Sequence, residues 1–179
     1  MLQGMKIKWI AICCALLSLQ GAVTAQVLVE TESFAKRGGW VLDHQAFDKI
    51  ESAYLMAHGM GRAVEDASTT VKFAEGGAYH VYVSTYNWTA PWYSGEGPGV
   101  FQLKVDNRAL SNKLGVTGSC WGWQYAGQVI LSAGEHEVRL HDLTGFNGRA
   151  DAIYFTKTKE VPATDYHVFA AERRRLSGY

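Results

Sequence analysis

Thr85-Tyr86-Asn87-Trp88-Thr89-Ala90-Pro91-Trp92-Tyr93 sets four aromatic rings on one short stretch that runs into the glycine-rich Ser94-Gly95-Glu96-Gly97-Pro98-Gly99. Pro91 and the glycines place this stretch in a surface loop. Large rings held at the surface cost stability unless something stacks on them. Indole and phenol faces suit the apolar C–H face of a pyranose ring, with nearby polar groups taking the hydroxyls. Trp88, Trp92 and Tyr93 are therefore candidate platforms, joined by Trp121 from a second aromatic cluster, Trp121, Trp123 and Tyr125. Two or three tryptophans of such a domain belong in the core, and Trp123 and Trp40 are the first choices for that role.

A second polar concentration is Asp142-Leu143-Thr144-Gly145-Phe146-Asn147-Gly148-Arg149-Ala150-Asp151, read as a loop between the last two strands. Asp142 and Asn147 offer hydroxyl acceptors and donors, and Arg149 is a bidentate donor. An equally good reading has Asp142 and Asn147 satisfying turn backbone while Arg149 pairs with Asp151. His58, ahead of Gly59, completes the ligand-binding set. Glu30 and Glu32 alternate on the first strand and Asp151 opens the last, so three hard oxygen ligands could converge on a structural calcium ion. Acids alternating on a strand also make an ordinary wet face.

Catalytic patterns are missing from the sequence. His58, His80, His136 and His141 are scattered, no serine sits in a nucleophile elbow, and no HExxH, cysteine-rich metal pattern or GxGxxG after a strand occurs. A glycosidase pair such as Glu65 or Asp66 with Asp142 ranks last among the readings. Asn87-Trp88-Thr89 matches a glycosylation sequon, a match common by chance.

Residues 1–25 read as a secretory signal: Lys6 and Lys8, an apolar run from Trp9 to Leu19, and Val23-Thr24-Ala25 before Gln26. Its removal implies a secreted or periplasmic protein that does not span the membrane. The whole chain has 17 basic and 17 acidic residues, and loss of the two leader lysines leaves acids in slight excess. Nucleic acid is therefore a poor partner. Cys13 and Cys14 leave with the leader, so Cys120 has no partner for an intrachain disulfide.

These groups need a scaffold, and short alternating segments supply it. Strands are expected over Gln26 to Phe34, Trp40 to Leu42, Tyr54 to Ala57, Thr69 to Ala74, Ala78 to Tyr86, Phe101 to Val105, Trp121 to Tyr125, Gln128 to Leu131, Glu137 to His141 and Ala152 to Thr156. Gln45 to Ile50 fits one helical turn or a loop. Glu75-Gly76-Gly77 reads as a hairpin pairing its two flanking strands, Asp106-Asn107 as a tight turn, and Ala133-Gly134 as another turn. The implied fold is all-β, an antiparallel β-sandwich or jelly roll over residues 26–157, with 158–179 a linker or short helical tail.

As a set, Val29-Glu30-Thr31-Glu32-Ser33-Phe34, Gly38-Gly39-Trp40, Tyr54-Leu55-Met56-Ala57-His58-Gly59, Trp88-Thr89-Ala90-Pro91-Trp92 and His141 to Ile153 resemble the N-terminal β-sandwich of secreted bacterial FAD-dependent oxidoreductases and xanthan-lyase-like proteins. That module is in turn similar to galactose-binding-like carbohydrate-binding modules. The resemblance implies a noncatalytic module that binds a polysaccharide or oligosaccharide, with a calcium site at Glu30, Glu32 and Asp151. In the oxidoreductases a tail like Phe169 to Arg175 leads into a flavin domain. This chain carries no FAD site, so the alternative role is docking onto a flavoprotein catalytic partner.

Overall fold

The computed structural model describes residues 26–161; the signal sequence and nearly all of the C-terminal tail expected from the sequence lie outside the described residues. Eleven strands fill that span: β1 (Gln26–Glu30), β2 (Trp40–Asp43), β3 (Tyr54–His58), β4 (Ala67–Phe73), β5 (Gly77–Thr85), β6 (Phe101–Val105), β7 (Arg108–Ala109), β8 (Gly122–Leu131), β9 (Gly134–Asp142), β10 (Phe146–Ala150) and β11 (Ala152–Thr156). A single helical turn, α1 (Phe47–Ile50), connects β2 to β3. The strands form two four-stranded antiparallel sheets, ordered β1-β11-β5-β8 and β4-β9-β6-β7, and a three-stranded one, β10-β3-β2. The expected antiparallel β-sandwich is what the chain adopts.

Period-two alternation explains the layering. Tyr79, Val81 and Val83 of β5 turn inward with Ile153 and Phe155 of β11, and meet Leu103 and Val105 of β6 and Val138 and Leu140 of β9 in one continuous core. Trp40 joins that core at 2% exposure, edge-on to Phe101 at 5.6 Å. Trp123 does not: it stands opposite Ser84 in the register, only partly covered, against Tyr154 at 6.1 Å.

Four local readings change. The segments flanking Glu75-Gly76-Gly77 do not pair with each other. β4 pairs with β9, while β5 lies between β8 and β11, so the glycines carry the chain from one sheet to the other. Phe73 and Tyr79, both fully buried, then meet edge to face across the interior at 5.2 Å, a burial a flat hairpin would deny to one of them. Second, the first strand stops at Glu30. Thr31 is buried and donates its hydroxyl to the Ala150 carbonyl at 2.6 Å, which turns the chain into a 3₁₀ turn, Thr31–Ser33. Glu32 therefore shares no strand face with Glu30.

Third, the segment between Asp142 and Asp151 is only half loop. Phe146 to Ala150 adds β10 to β3, with a register shift at Asn147, whose φ is 56°. Fourth, Trp121–Tyr125 and Gln128–Leu131 are one strand, β8, interrupted by a bulge at Ala126. The Asp106-Asn107 turn between β6 and β7 stands, with both residues at positive φ, 48° and 65°.

Candidate functional site

The aromatic loop leaves β5 at Thr85 and is fixed by Asn87. The Asn87 side chain is buried, its Oδ1 accepts from Thr89 N at 3.0 Å and Thr89 Oγ1 at 2.7 Å, and its Nδ2 donates to the Gly95 carbonyl at 3.2 Å. Its backbone N–H donates to the Thr117 carbonyl at 2.8 Å, tying the loop to the segment ahead of β8. Gly97 packs directly on the Asn87 amide, where no Cβ would fit. The sequon asparagine is thus a buried turn anchor, with no amide free for a glycan to be attached.

From this anchor the chain makes a turn in which Trp92 N and Tyr93 N both donate to the Thr89 carbonyl at 2.9 Å. Trp92 is left 79% exposed. It walls a cavity of about 600 Å³ together with Trp88 and Pro91 from the same loop, Trp121 and Cys120 from the segment entering β8, and Tyr54 and Arg149 from the small sheet. That volume lies in the range of small-ligand sites.

Trp121 is buried between Tyr54 (4.9 Å) and Tyr86 (4.8 Å), a rigid wall more than a free platform. Trp88 donates Nε1–H to the Phe146 carbonyl at 2.9 Å and gives one ring face to the Arg149 guanidinium, 5.3 Å from the ring centre. Arg149 is 9% exposed, also lies over Tyr86 at 5.9 Å, and donates from Nη1 to the Asn147 carbonyl at 2.8 Å. Its Nε–H is buried with no hydrogen-bond partner. Burial pushes the Tyr54 hydroxyl above its ordinary pKa, with the neighbouring guanidinium working in the opposite direction. The Tyr54 hydroxyl is therefore a neutral donor at the cavity floor.

Four of the eight residues read from the sequence as ligand-binding line this cavity: Trp88, Trp92, Trp121 and Arg149. The other four do not. Asp142 is 1% exposed, and its carboxylate accepts from the backbone N–H of Val64 (2.8 Å), Thr144 (3.2 Å) and Gly145 (2.8 Å), so it serves the β9–β10 turn. Asn147 Oδ1 accepts from His58 Nδ1–H at 2.6 Å where β3 and β10 pair. Tyr93 folds back over Gly95. Sequence reasoning did not name Tyr54, Tyr86, Gln45 or Lys49 as ligand-binding; Tyr86 directly follows β5 in the aromatic loop, and β3 and the segment around α1 bring in the other three.

The remaining candidates can also be placed. Asp151 is buried, and its Oδ1 accepts from Ser52 Oγ at 2.8 Å. Its carbonyl accepts from Thr31 N at 3.0 Å, which brings Glu30 and Glu32 into the same neighbourhood. Among the described residues, however, no three His, Cys, Asp or Glu side chains are grouped so that they could hold a metal ion. Calcium at Glu30, Glu32 and Asp151 is a proposal for melting curves with and without chelator to test. Asp66 pairs with His141 (2.7 Å) and Lys104 (3.6 Å), which together with the saturation of Asp142 leaves Asp66 and Asp142 no free carboxylate for glycoside hydrolysis.

One constellation has the connectivity of a hydrolytic triad: Ser132 Oγ lies 3.3 Å from His136 Nε2, and His136 Nδ1 lies 2.6 Å from Asp106 Oδ2. Nε2 also faces the Ser132 carbonyl at 3.1 Å. A carbonyl only accepts, so Nε2 carries the proton in that contact and has no lone pair for a serine hydroxyl. Asp106 raises the pKa of His136 further, and the ring is a structural donor at both nitrogens.

No family model matches the chain, and no curated protein matches it. Solved structures do. The fold is similar to a GH26-CBM35 β-(1,4)-mannanase from Podospora anserina (TM-score 0.59, 17% identity, 78% of this chain and 29% of that one). It is also similar to a family 35 carbohydrate-binding module from Clostridium thermocellum (TM-score 0.57, 16% identity, 73% and 97%). A third is the C-terminal CBM6 of LamC from Zobellia galactanivorans (TM-score 0.53, 15% identity, 74% and 99%). The chain spans under a third of the mannanase but matches nearly the whole of the isolated modules. No helix among the described residues is long and apolar enough to cross a membrane.

Proposed function

We propose that this protein is a noncatalytic carbohydrate-binding module whose ligand enters the cavity between the aromatic loop and the small sheet. The observation that carries the reading is Trp92, an indole held 79% exposed at the cavity mouth by a loop whose anchor residue is buried and fully bonded. A ring kept in solvent at such expense is repaired by a stacked sugar face, and Trp121, Tyr54 and Tyr86 supply a stiff apolar wall beside it. Gln45, Ser119 and the Tyr54 hydroxyl offer the few polar groups that orient a ligand in such a site. Likeness to solved carbohydrate-binding modules of the same size supports the reading.

The test is a titration of intrinsic tryptophan fluorescence with a panel of plant and bacterial polysaccharides, repeated on Trp92→Ala. A saturable shift is expected, weakened by about 2 kcal/mol or more in the variant. Unchanged affinity in a folded Trp92→Ala protein would remove the cavity from consideration.

A further inference from the structure

We propose that residues 162–171 of this chain dock on the outer face of the β1-β11-β5-β8 sheet, with Val168 and Phe169 set against Tyr125 and Ile130, as a third layer on the sandwich. The two outer faces of the sandwich differ in kind. On the β4-β9-β6-β7 sheet the register aligns Ser68 with Arg139 and Lys104, Thr70 with Glu137, and Lys72 with Glu135, an ordinary solvated face. On the other sheet one outward row is Leu28, Tyr154, Tyr82 and Tyr125, with Trp123 beside Ser84 on one side of it and Ile130 beside Ala78 further along. Tyr125 is 38% exposed and Ile130 80% exposed. Apolar side chains gathered on one outer face mark an interaction surface.

The path of the chain names the occupant. Val81, Val83, Ile153 and Phe155 fill the core, so Tyr82 and Tyr154 between them point outward, yet each is 6% exposed. Past β11 the chain turns back onto this face. Thr158 N donates to Thr156 Oγ1 at 3.1 Å, and the Lys159 carbonyl accepts from the Tyr82 hydroxyl at 3.2 Å. Lys159 then walls a cavity of about 330 Å³ with His80, Tyr82, Tyr125 and Gln128, none of which lines the aromatic-loop cavity. The described chain ends at Val161, two residues past that wall. Ten residues at about 3.3 Å each reach about 33 Å, and a four-stranded sheet is about 14 Å across. Residues 162–171 hold Tyr166, Val168 and Phe169 ahead of the charged Glu172-Arg173-Arg174-Arg175. A segment tethered at the cavity wall meets the face at a high effective concentration, an advantage that a second copy or a free glycan lacks.

The experiment is a cysteine scan of the full chain in a background with Cys13→Ser, Cys14→Ser and Cys120→Ser. Gln128→Cys, exposed on the cavity wall, is combined with one substitution at a time from Thr164→Cys to Ala171→Cys, and disulfide formation under mild oxidation is read on non-reducing gels. Docking gives a crosslink within the monomer whose yield peaks several-fold at one or two positions. Equal yields along the whole segment, the behaviour of a free tether, overturn the proposal. A crosslink found only in dimers also overturns it and assigns the face to a second copy. The second measurement is a double-mutant cycle on Tm: Tyr125→Ser and Phe169→Ser each lower it, and the two together lower it by less than the sum, because both remove the same contact. Additive shifts overturn the contact. Additive shifts with glycan affinity lost in Tyr125→Ser give the face to a glycan instead of the chain's own segment.

Discussion

Asp142 and Arg149 sit seven positions apart, on either side of the β9–β10 turn, and both are buried charges, at 1% and 9% exposure. Asp142 is completed by its own chain: backbone N–H groups of Val64, Thr144 and Gly145 take up its oxygens. Arg149 is not, since its Nε–H has no hydrogen-bond partner. A buried polar group that the fold itself satisfies is part of the fold, whereas one left incomplete beside a cavity is available to a ligand. Identity alone does not separate these cases, because both residues are of the type that reads sugar hydroxyls.

The sharpest way to break the comparison is Asp142→Ala. It orphans three backbone N–H groups at once, including the buried one of Gly145, which sits at φ 67° against the Arg62 backbone where no side chain fits. A stability loss of about 3 kcal/mol or more is expected in urea unfolding. A variant as stable as the parent would mean that the turn is held by something else. Trp92→Ala, by contrast, should leave stability within about 0.5 kcal/mol, because the ring is exposed, and should instead cost glycan affinity. If Trp92→Ala unfolds the protein, the mouth of the cavity is part of the scaffold and the division between the two regions fails.

Asn87→Ala belongs between these poles. Its amide holds the loop that carries Trp88 and Trp92, through Thr89 and Gly95, without touching the cavity itself. It should lose about 1–2 kcal/mol of stability and weaken glycan binding as well, by loosening the wall. Loss of stability with affinity intact would show that the loop finds its shape without the anchor.

The alternation of β5, β6, β9 and β11 made the sandwich legible in the sequence, since a strand facing a shared core must bury every second residue. Pairing was not legible. Glu75-Gly76-Gly77 has the composition of a hairpin, yet the preference of Phe73 and Tyr79 for opposite layers of one core sends the strands to different sheets. The site was half legible, for a similar reason. Clustered tryptophans announce themselves, but Tyr54 and Lys49 reach the cavity only through β3 and α1, and no local signal marks that convergence. Asp142, Asn147 and His58 stand apart from the cavity because acids, amides and imidazoles close turns and strand edges as readily as they bind ligands.

The smallest expected effect comes from the charge pair completed at the surface, His136 with Asp106. Asp106 lies half in solvent and His136 is one-tenth exposed at the side chain, so screening holds the contribution below about 1 kcal/mol. Its sign can still be read from pH. The hydrogen bond to Asp106 raises the His136 pKa above its ordinary 6.5, so this part of the stability is fully present below 6.5 and is lost as pH rises through the raised value. The hydrogen bond from His136 lowers the Asp106 pKa below its ordinary 3.8, so the carboxylate's share is present above 3.8 and is lost as pH falls through the lowered value. The pair therefore stabilises the fold most between those two ordinary values. His136→Gln should reduce the stability difference between about pH 6 and about pH 8, with no change in glycan affinity, because neither residue lines the cavity. A variant that keeps the parent's full pH dependence would assign that dependence to other groups. A variant that loses glycan binding would tie this surface pair to the cavity and undo the separation between charges that finish the fold and charges that await a ligand.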